Sequence, residues 1–76
     1  MRTFNEIVGE IFKISQDKIR DDMSSRDIPE WDSMNYLLFI SELEKNFGLS
    51  FTMQEVITAE VLGDLRKVVE ERGKKS

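Results

Sequence analysis

The chain has 76 residues, which is enough for one small domain but not for a second core, so residues 1–76 are read as a single domain. Eleven basic against fifteen acidic residues give a net charge of −4, which argues against nucleic-acid binding because that function needs a basic face. The absence of cysteine and histidine excludes disulfides and thiolate chemistry and makes a transition-metal site unexpected. No apolar run is long enough for a signal peptide or a membrane span, so we expect a cytoplasmic location. We also expect a monomer.

The first predicted helix spans residues 3–14. Thr3 followed by Glu6 has the spacing of a capping box, in which each side chain accepts a hydrogen bond from the other residue's backbone N–H. The apolar residues that follow fall on one arc at about 100° per residue, as expected for a helix with one buried face. These residues are Phe4, Ile7, Val8, Ile11, Phe12 and Ile14.

A long connection follows over residues 15–31. Its apolar residues Ile19, Met23 and Ile28 are spaced too widely for a strand, so we expect them to pin a loop onto a helical core. Trp31 is interpreted as a further anchor, with a contact to partner proteins as the alternative. The neighbouring carboxylates at positions 21 and 22 provide too few ligands to hold a hard cation alone.

The second predicted helix runs from about Ser33 to Phe47. Asp32 is a good N-cap, and Gly48 supplies a stop signal after the last turn. The apolar residues of this helix cluster on one face and predict its contribution to the core. The predicted core residues are Tyr36, Leu37, Phe39, Ile40, Leu43 and Phe47.

Two shorter segments complete the chain. Residues 52–57 allow one short helical turn, capped by Thr52 with Glu55 three residues later. The last helix is predicted over residues 59–72, and residues 73–76 are expected to form a frayed tail. The pattern therefore predicts an all-α fold, a small four-helix bundle with a long loop between helices 1 and 2 and a short third helix.

Ser33 is the candidate functional residue because its hydroxyl lies at a helix N-terminus, directly after an irregular loop. Free backbone N–H groups and the positive end of the helix dipole favour an anionic phosphate at such a position. The chain has no histidine to accept a proton from the hydroxyl, and no lysine is close to Ser33 in sequence. We therefore interpret the serine as an attachment point and expect no catalytic residues.

The stretch Asp32-Ser33-Met34, with the downstream residues 43–48 (Leu-Glu-Lys-Asn-Phe-Gly), resembles the acyl carrier proteins and the related peptidyl and aminoacyl carrier domains. Their signature is Asp-Ser-Leu at the start of the second helix, followed by a Leu-Glu-x-x-Phe-Gly ending. The predicted helix lengths, the long first loop and the acidic balance agree with this family, so the resemblance covers nearly the whole chain. Met34 departs from the usual leucine but fills a similar volume.

The resemblance implies that Ser33 carries 4′-phosphopantetheine, installed from coenzyme A by a phosphopantetheinyl transferase that holds Mg²⁺. The arm ends in a thiol on which acyl or aminoacyl groups ride as thioesters. It also implies that Asp32 caps the helix and helps to orient the transferase. The remaining partners are acyl-loading and acyl-transfer enzymes, for which Met34, Leu38, Glu42 and Glu44 are the candidate contacts.

The exposed face of the second helix has less negative charge than the resemblance leads one to expect. It carries Leu38 and Lys45 in addition to Glu42. This composition favours a specialised acyl carrier, in polyketide, lipid or modified-sugar formation, over one for housekeeping fatty-acid synthesis. An aminoacyl or peptidyl carrier, and a helical protein-interaction module without a prosthetic group, are the alternatives.

Overall fold

A computed structural model describes residues 2–73 of the chain, and in this range it contains the four α-helices of the predicted all-α bundle. No helix in the described range has both the length and the apolar character needed to cross a bilayer. The long first loop and the short third helix are also present, so the predicted fold class is confirmed. The helices are α1 (Phe4–Phe12), α2 (Ser33–Phe47), α3 (Met53–Thr58) and α4 (Leu62–Arg72).

Helix α1 begins as predicted but ends two residues earlier. The capping box is present: the Glu6 N–H donates to the Thr3 hydroxyl over 3.1 Å, and the Thr3 N–H donates to the Glu6 carboxylate over 2.8 Å. Lys13 adopts a left-handed conformation with φ of 58°, which terminates the helix at Phe12. Ile14 therefore lies outside the helix, although it still packs against the core.

Helix α2 has the predicted bounds. Asp32 is its N-cap, and its carboxylate accepts a hydrogen bond of 2.8 Å from the Asn35 N–H. Gly48 ends the helix in the left-handed region with φ of 66°, a conformation that costs glycine little. The Gly48 N–H donates to the Glu44 carbonyl over 2.9 Å, so one of the last carbonyls of the helix is satisfied.

Helix α4 begins at Leu62 rather than at the predicted residue 59. Ala59 is the C-cap of the preceding helix, because its N–H donates to the Glu55 carbonyl and closes α3. The carboxylate of Asp64 then accepts hydrogen bonds from the N–H groups of Glu60 (2.9 Å) and Val61 (3.3 Å). These hydrogen bonds hold Glu60 and Val61 outside the helix, before its first residue. The helical spacing of Ala59 and Val61 had predicted that the helix begins one turn earlier.

Three helices and two loop anchors contribute the fully buried side chains of the core. Several residues that the sequence placed in this core are only half-buried at its edge, among them Tyr36 and Phe47, and one is exposed. Leu37 is 61% exposed, because at about 100° per residue it lies roughly 100° from the centre of the buried stripe of α2. Phe47 is only half-buried at the helix end. The buried set is Phe4, Ile7, Val8, Phe12, Met23, Ile28, Phe39, Ile40, Leu43, Leu62, Leu65 and Val69.

The long loop is fastened to the start of α4 and contains a short 3-10 turn at Gln16–Lys18 that the sequence did not indicate. The Leu62 N–H donates to the Met23 carbonyl over 3.0 Å, and the Gly63 N–H donates to the Asp21 carbonyl over 2.8 Å. A Cβ at position 63 would lie 3.0 Å from the Asp21 Cβ, so the close approach favours glycine and any larger residue would push Asp21 away. The loop therefore has a defined path across the bundle.

Replacement of Phe39 by alanine is expected to destabilise the protein by about 3–5 kcal/mol, because the ring is fully buried and contacts the rings of Phe4 and Phe12. The measurement is the free energy of unfolding from urea denaturation. Leu37→Ala on the exposed face of the same helix is the control, with an expected change within about 0.5 kcal/mol. Equal losses for the two variants would contradict this assignment of the core.

Candidate functional site

Ser33 is the first residue of α2, and its side chain is exposed. The preceding residue, Asp32, satisfies one of the four N–H groups that the helix start leaves free, and it also accepts the first regular hydrogen bond of the helix. Its carboxylate accepts from Asn35, and its carbonyl accepts from Tyr36 over 2.8 Å. The N–H groups of Ser33 and Met34 have no intrahelical partner at this position. The hydroxyl is thus accessible beside backbone donors that suit an anion.

Trp31 fixes the position of the helix start relative to the bundle. Its half-buried ring stacks on the Phe12 ring of α1 with centroids 5.3 Å apart and an interplanar angle of 10°. It also stacks on the Tyr36 ring of α2, with centroids 5.7 Å apart. These contacts agree with the interpretation of Trp31 as an anchor. Ser33, two residues along the chain, is therefore presented from a fixed support.

Ser33 lines a hollow of about 380 Å³. Its walls are the aromatic rings of Trp31 and Tyr36 together with Ser25 and Asp32. An exposed hydroxyl, unpaired backbone N–H groups and open space beside them are what a phosphodiester-linked arm requires. The residues at this end of α2 therefore fit 4′-phosphopantetheine, which would be held by a covalent bond to the serine oxygen.

A larger hollow of about 710 Å³ lies next to the first and shares Ser25, Trp31 and Tyr36 with it. Helix α3 and the connection to α4 form its opposite wall. The Tyr36 hydroxyl donates to the Val56 carbonyl over 2.7 Å and so joins this wall to α2. The remaining lining residues are Ser24, Arg26, Ile57, Ala59, Glu60 and Val61.

Three exposed apolar side chains follow Ser33 along α2, and we call them the apolar strip: Met34, Leu37 and Leu38. Their exposed fractions are 75%, 61% and 51%. Residues three and four apart are neighbours on a helix surface, so Met34 lies beside both leucines. Leu38 was predicted to point away from the core, and the structure places it there. Leu37, which was expected in the core, adds to the same surface.

The two carboxylates that the sequence offered as partner contacts are engaged within the chain. Glu42 forms ion pairs with Arg2 and with Lys45, the latter over 3.8 Å. Glu44 accepts a hydrogen bond of 2.8 Å from the Phe51 N–H, which orients the segment between α2 and α3. Both side chains are half-buried, so they are weaker candidates for partner contact than the apolar strip.

The adjacent carboxylates of the long loop also have partners. Asp21 pairs with Arg66 over 2.8 Å, and Asp22 pairs with Arg20 over 3.0 Å. Across residues 2–73, no group of three or more acidic, histidine or cysteine side chains is arranged to hold a metal ion. The acidic residues of the loop are thus accounted for by ion pairs.

Comparison with known families decides the assignment. The family model described as "Phosphopantetheine attachment site" matches residues 2–69. The chain belongs to the phosphopantetheine-attachment family. It is accordingly a carrier rather than an enzyme, and the family's prosthetic group is covalently attached 4′-phosphopantetheine.

Solved structures agree with the fold of this carrier. Nineteen chains of solved structures match significantly. One is a candidate acyl carrier protein from Mycobacterium tuberculosis, which is 20% identical, with a TM-score of 0.80 over 90% of each chain. No individual curated protein aligned significantly with the sequence. At this identity the structural likeness establishes the fold of the phosphopantetheine carrier and leaves its cargo to be argued from its own residues.

The sequence indicated the helix start of the carrier but not the two hollows beside it. Ser25 and Arg26 belong to the long loop, and no local pattern places them near Ser33. Glu60 and Val61 were read as the beginning of a helix. Tyr36 was assigned to the core, where it is half-buried, and its hydroxyl contact with α3 could not be foreseen from spacing.

Replacement of Tyr36 by phenylalanine is expected to cost about 0.5–1.5 kcal/mol, because the Val56 carbonyl loses its donor. Burial and, to a smaller extent, the charge of Asp64 raise the pKa of Tyr36 above its ordinary value of 10.0. The neutral phenol is thus favoured in the folded state. Its contribution to stability is complete below about pH 10 and is lost as the pH rises through the raised pKa.

The chain contains one tyrosine, so phenolate absorbance reports the ionisation of Tyr36 alone. Urea denaturation of the parent and of Tyr36→Phe across the alkaline range provides the stability comparison. The parent should lose more stability than the variant above pH 10. A phenolate midpoint below the ordinary value would contradict the described environment of the ring.

Proposed function

We propose that this protein is an acyl carrier protein that holds its cargo as a thioester on a 4′-phosphopantetheine arm attached to Ser33. The observation that carries the proposal is the exposed Ser33 hydroxyl at the capped N-terminus of α2, within a chain that belongs to the phosphopantetheine-attachment family. Asp32 supports the site by capping the first turn, and Met34 extends the motif along the helix. A cytoplasmic location and a monomeric state remain predictions from the sequence.

Attachment is a phosphoryl transfer carried out by the partner transferase. The Ser33 oxygen attacks the phosphorus atom of coenzyme A that bears pantetheine, and the adenosine bisphosphate part leaves. The hydroxyl proton passes to a base supplied by the transferase. This chain contributes an accessible nucleophile and the local positive potential of a helix N-terminus, which favours the phosphodiester that remains.

The surface of α2 that is available to partner enzymes supports a role in a specialised pathway, in polyketide, lipid or modified-sugar formation. The apolar strip lies directly after the attachment residue, whereas Glu42 and Glu44 are committed to contacts inside the chain. A central apolar contact slows dissociation, while charges at the rim mainly set the rate of encounter. We expect the acyl-loading and acyl-transfer enzymes to present an apolar or mixed-charge surface rather than a uniformly basic groove. Weak docking is sufficient, because the arm raises the local concentration of cargo.

Incubation with coenzyme A, Mg²⁺ and a broad-specificity phosphopantetheinyl transferase should add the mass of one phosphopantetheinyl group. Intact-mass spectrometry measures the gain. Ser33→Ala should abolish it, whereas Ser25→Ala should retain it, because Ser25 lines the same hollow without lying at the helix start. A gain that survives in Ser33→Ala would place the attachment elsewhere. Full biological activity of Ser33→Ala would favour the interaction module without a prosthetic group.

Leu38→Glu should weaken acyl transfer with the cognate enzyme and improve it with generic fatty-acid synthesis enzymes, because the change replaces an apolar contact with the charge that basic grooves accept. The measurement is transfer kinetics with both enzyme sets at two ionic strengths. Gln16→Glu, an exposed residue outside α2, controls for the added negative charge. The proposal of a specialised surface fails if the parent already serves the generic enzymes as well as Leu38→Glu does.

A further inference from the structure

We propose that Asn35 is a positioning residue for the attachment reaction. Its side-chain amide fastens the end of the long loop to the first turn of α2 and so fixes the direction in which the Ser33 oxygen is presented to the transferase. The inference rests on the proposed attachment of phosphopantetheine to Ser33. It adds a second residue on which that step depends, one that acts through Ser33 and not on the reacting atoms.

The carbonyl of Glu30 accepts two hydrogen bonds at the turn before the helix. The Asn35 side-chain amide donates to it over 2.8 Å, and the Asp32 N–H donates to it over 3.0 Å. The backbone N–H of Asn35 donates in turn to the Asp32 carboxylate over 2.8 Å. Asn35 therefore connects α2 both to its cap and to the last turn of the loop, and Ser33 lies within the stretch of chain that these hydrogen bonds close.

The third residue of the helix has a different role in α1 and α3. Glu6 and Glu55 occupy this position there, and each carboxylate accepts a hydrogen bond from the N–H of the capping threonine, over 2.8 Å and 2.9 Å. In α2 the N–H of the cap already donates to the Glu30 carbonyl. An acceptor at position 35 would face that carbonyl without a proton to share, whereas the amide of asparagine supplies a donor.

Stabilisation of the helix start does not account for the side chain of Asn35. The backbone N–H of any residue at this position can donate to the Asp32 carboxylate, and the positive end of the helix dipole favours a carboxylate over an amide here. The half-buried amide instead donates to the loop. Its contact restrains the junction between the loop and α2, which is where Ser33 lies.

The direction of the Ser33 oxygen matters because attachment is an in-line displacement at phosphorus. The oxygen bonds to phosphorus from the side opposite the departing adenosine bisphosphate, and its proton passes to the base of the transferase. A displacement of about 1 Å can lower the rate of such a step by up to roughly a hundred-fold. Trp31 restrains the junction through its stacked ring, and Asn35 restrains it through the backbone of Glu30.

The test is single-turnover attachment from coenzyme A and Mg²⁺ with a broad-specificity phosphopantetheinyl transferase in excess, followed by intact-mass spectrometry. Varying the transferase separates the maximal rate constant from the half-saturating concentration. Asn35→Ala and Asn35→Asp should lower the maximal rate constant about two- to ten-fold, as expected for the loss of one hydrogen bond. The half-saturating concentration should stay within about two-fold of the parent's. Asn35→Gln retains the amide donor and should recover part of the rate.

Asn46→Ala is the matched control. Asn46 is half-buried in the last turn of the same helix, and its side-chain amide also donates to a backbone carbonyl, that of Glu42, over 2.8 Å. It lies roughly 20 Å from Ser33 along the helix, so its replacement should leave the rate constant unchanged. Asn35→Asp separates positioning from stability. A negative charge is favourable at the helix start, so its thermal midpoint should match or exceed that of the parent although its rate falls.

Backbone ¹⁵N relaxation before attachment gives a readout that does not involve the transferase. The order parameter of the Ser33 amide should fall in Asn35→Ala and stay unchanged in Asn46→Ala.

An unchanged maximal rate constant in both Asn35→Ala and Asn35→Asp would overturn the proposal. A higher half-saturating concentration at an unchanged maximal rate would make Asn35 a contact of the transferase and would also overturn it. Failure of the attachment to Ser33 is recognised separately, because the parent would then gain no mass.

Discussion

The stacking of Trp31 between Phe12 and Tyr36 is the interaction on which the site depends. It joins the end of α1 to the first turn of α2. Because Trp31 ends the irregular loop, these contacts define the orientation in which α2 begins. The rings contribute a large buried area at low entropic cost, because an aromatic side chain has few rotatable bonds. Ser33, the proposed attachment residue, is thereby exposed at a helix start whose orientation these contacts define.

The elements that the sequence predicted correctly are those defined by local interactions. The start of α1, both ends of α2 and the start of α3 are set by side chains that cap backbone groups three residues away, or by a glycine that adopts a left-handed conformation. The errors have two causes. Asp64 accepts a hydrogen bond from the Glu60 N–H and so delays the start of α4, a local contact that the helical spacing of the apolar residues obscured. The position of the buried stripe, which packing between helices sets, exposes Leu37 despite its apolar character.

The same division applies to the candidate site. Ser33 and its cap could be inferred from spacing alone, since both belong to one turn of helix. The hollows could not, because they are formed where residues 24–26 of the loop approach residues 56–61 from the second half of the chain. Glu42 and Glu44 show the opposite case, in which the sequence predicted a role that the structure makes less favourable. Their types and positions made them candidate partner contacts, but pairing with Arg2 and with the Phe51 backbone is visible only in three dimensions.

The attachment of the long loop to the start of α4 determines the order in which the domain can assemble. The contact between Asp21 and Arg66 joins residues 45 positions apart, so its formation carries the loop-closure entropy of more than half of the chain. Helices α1 and α2 are stabilised by caps close in sequence. The loop residues Ser24 and Arg26, which line the larger hollow, are expected to become ordered only when the loop packs against α4. The wall that the loop contributes to the larger hollow is therefore expected to form late in folding and to open before the core of the bundle.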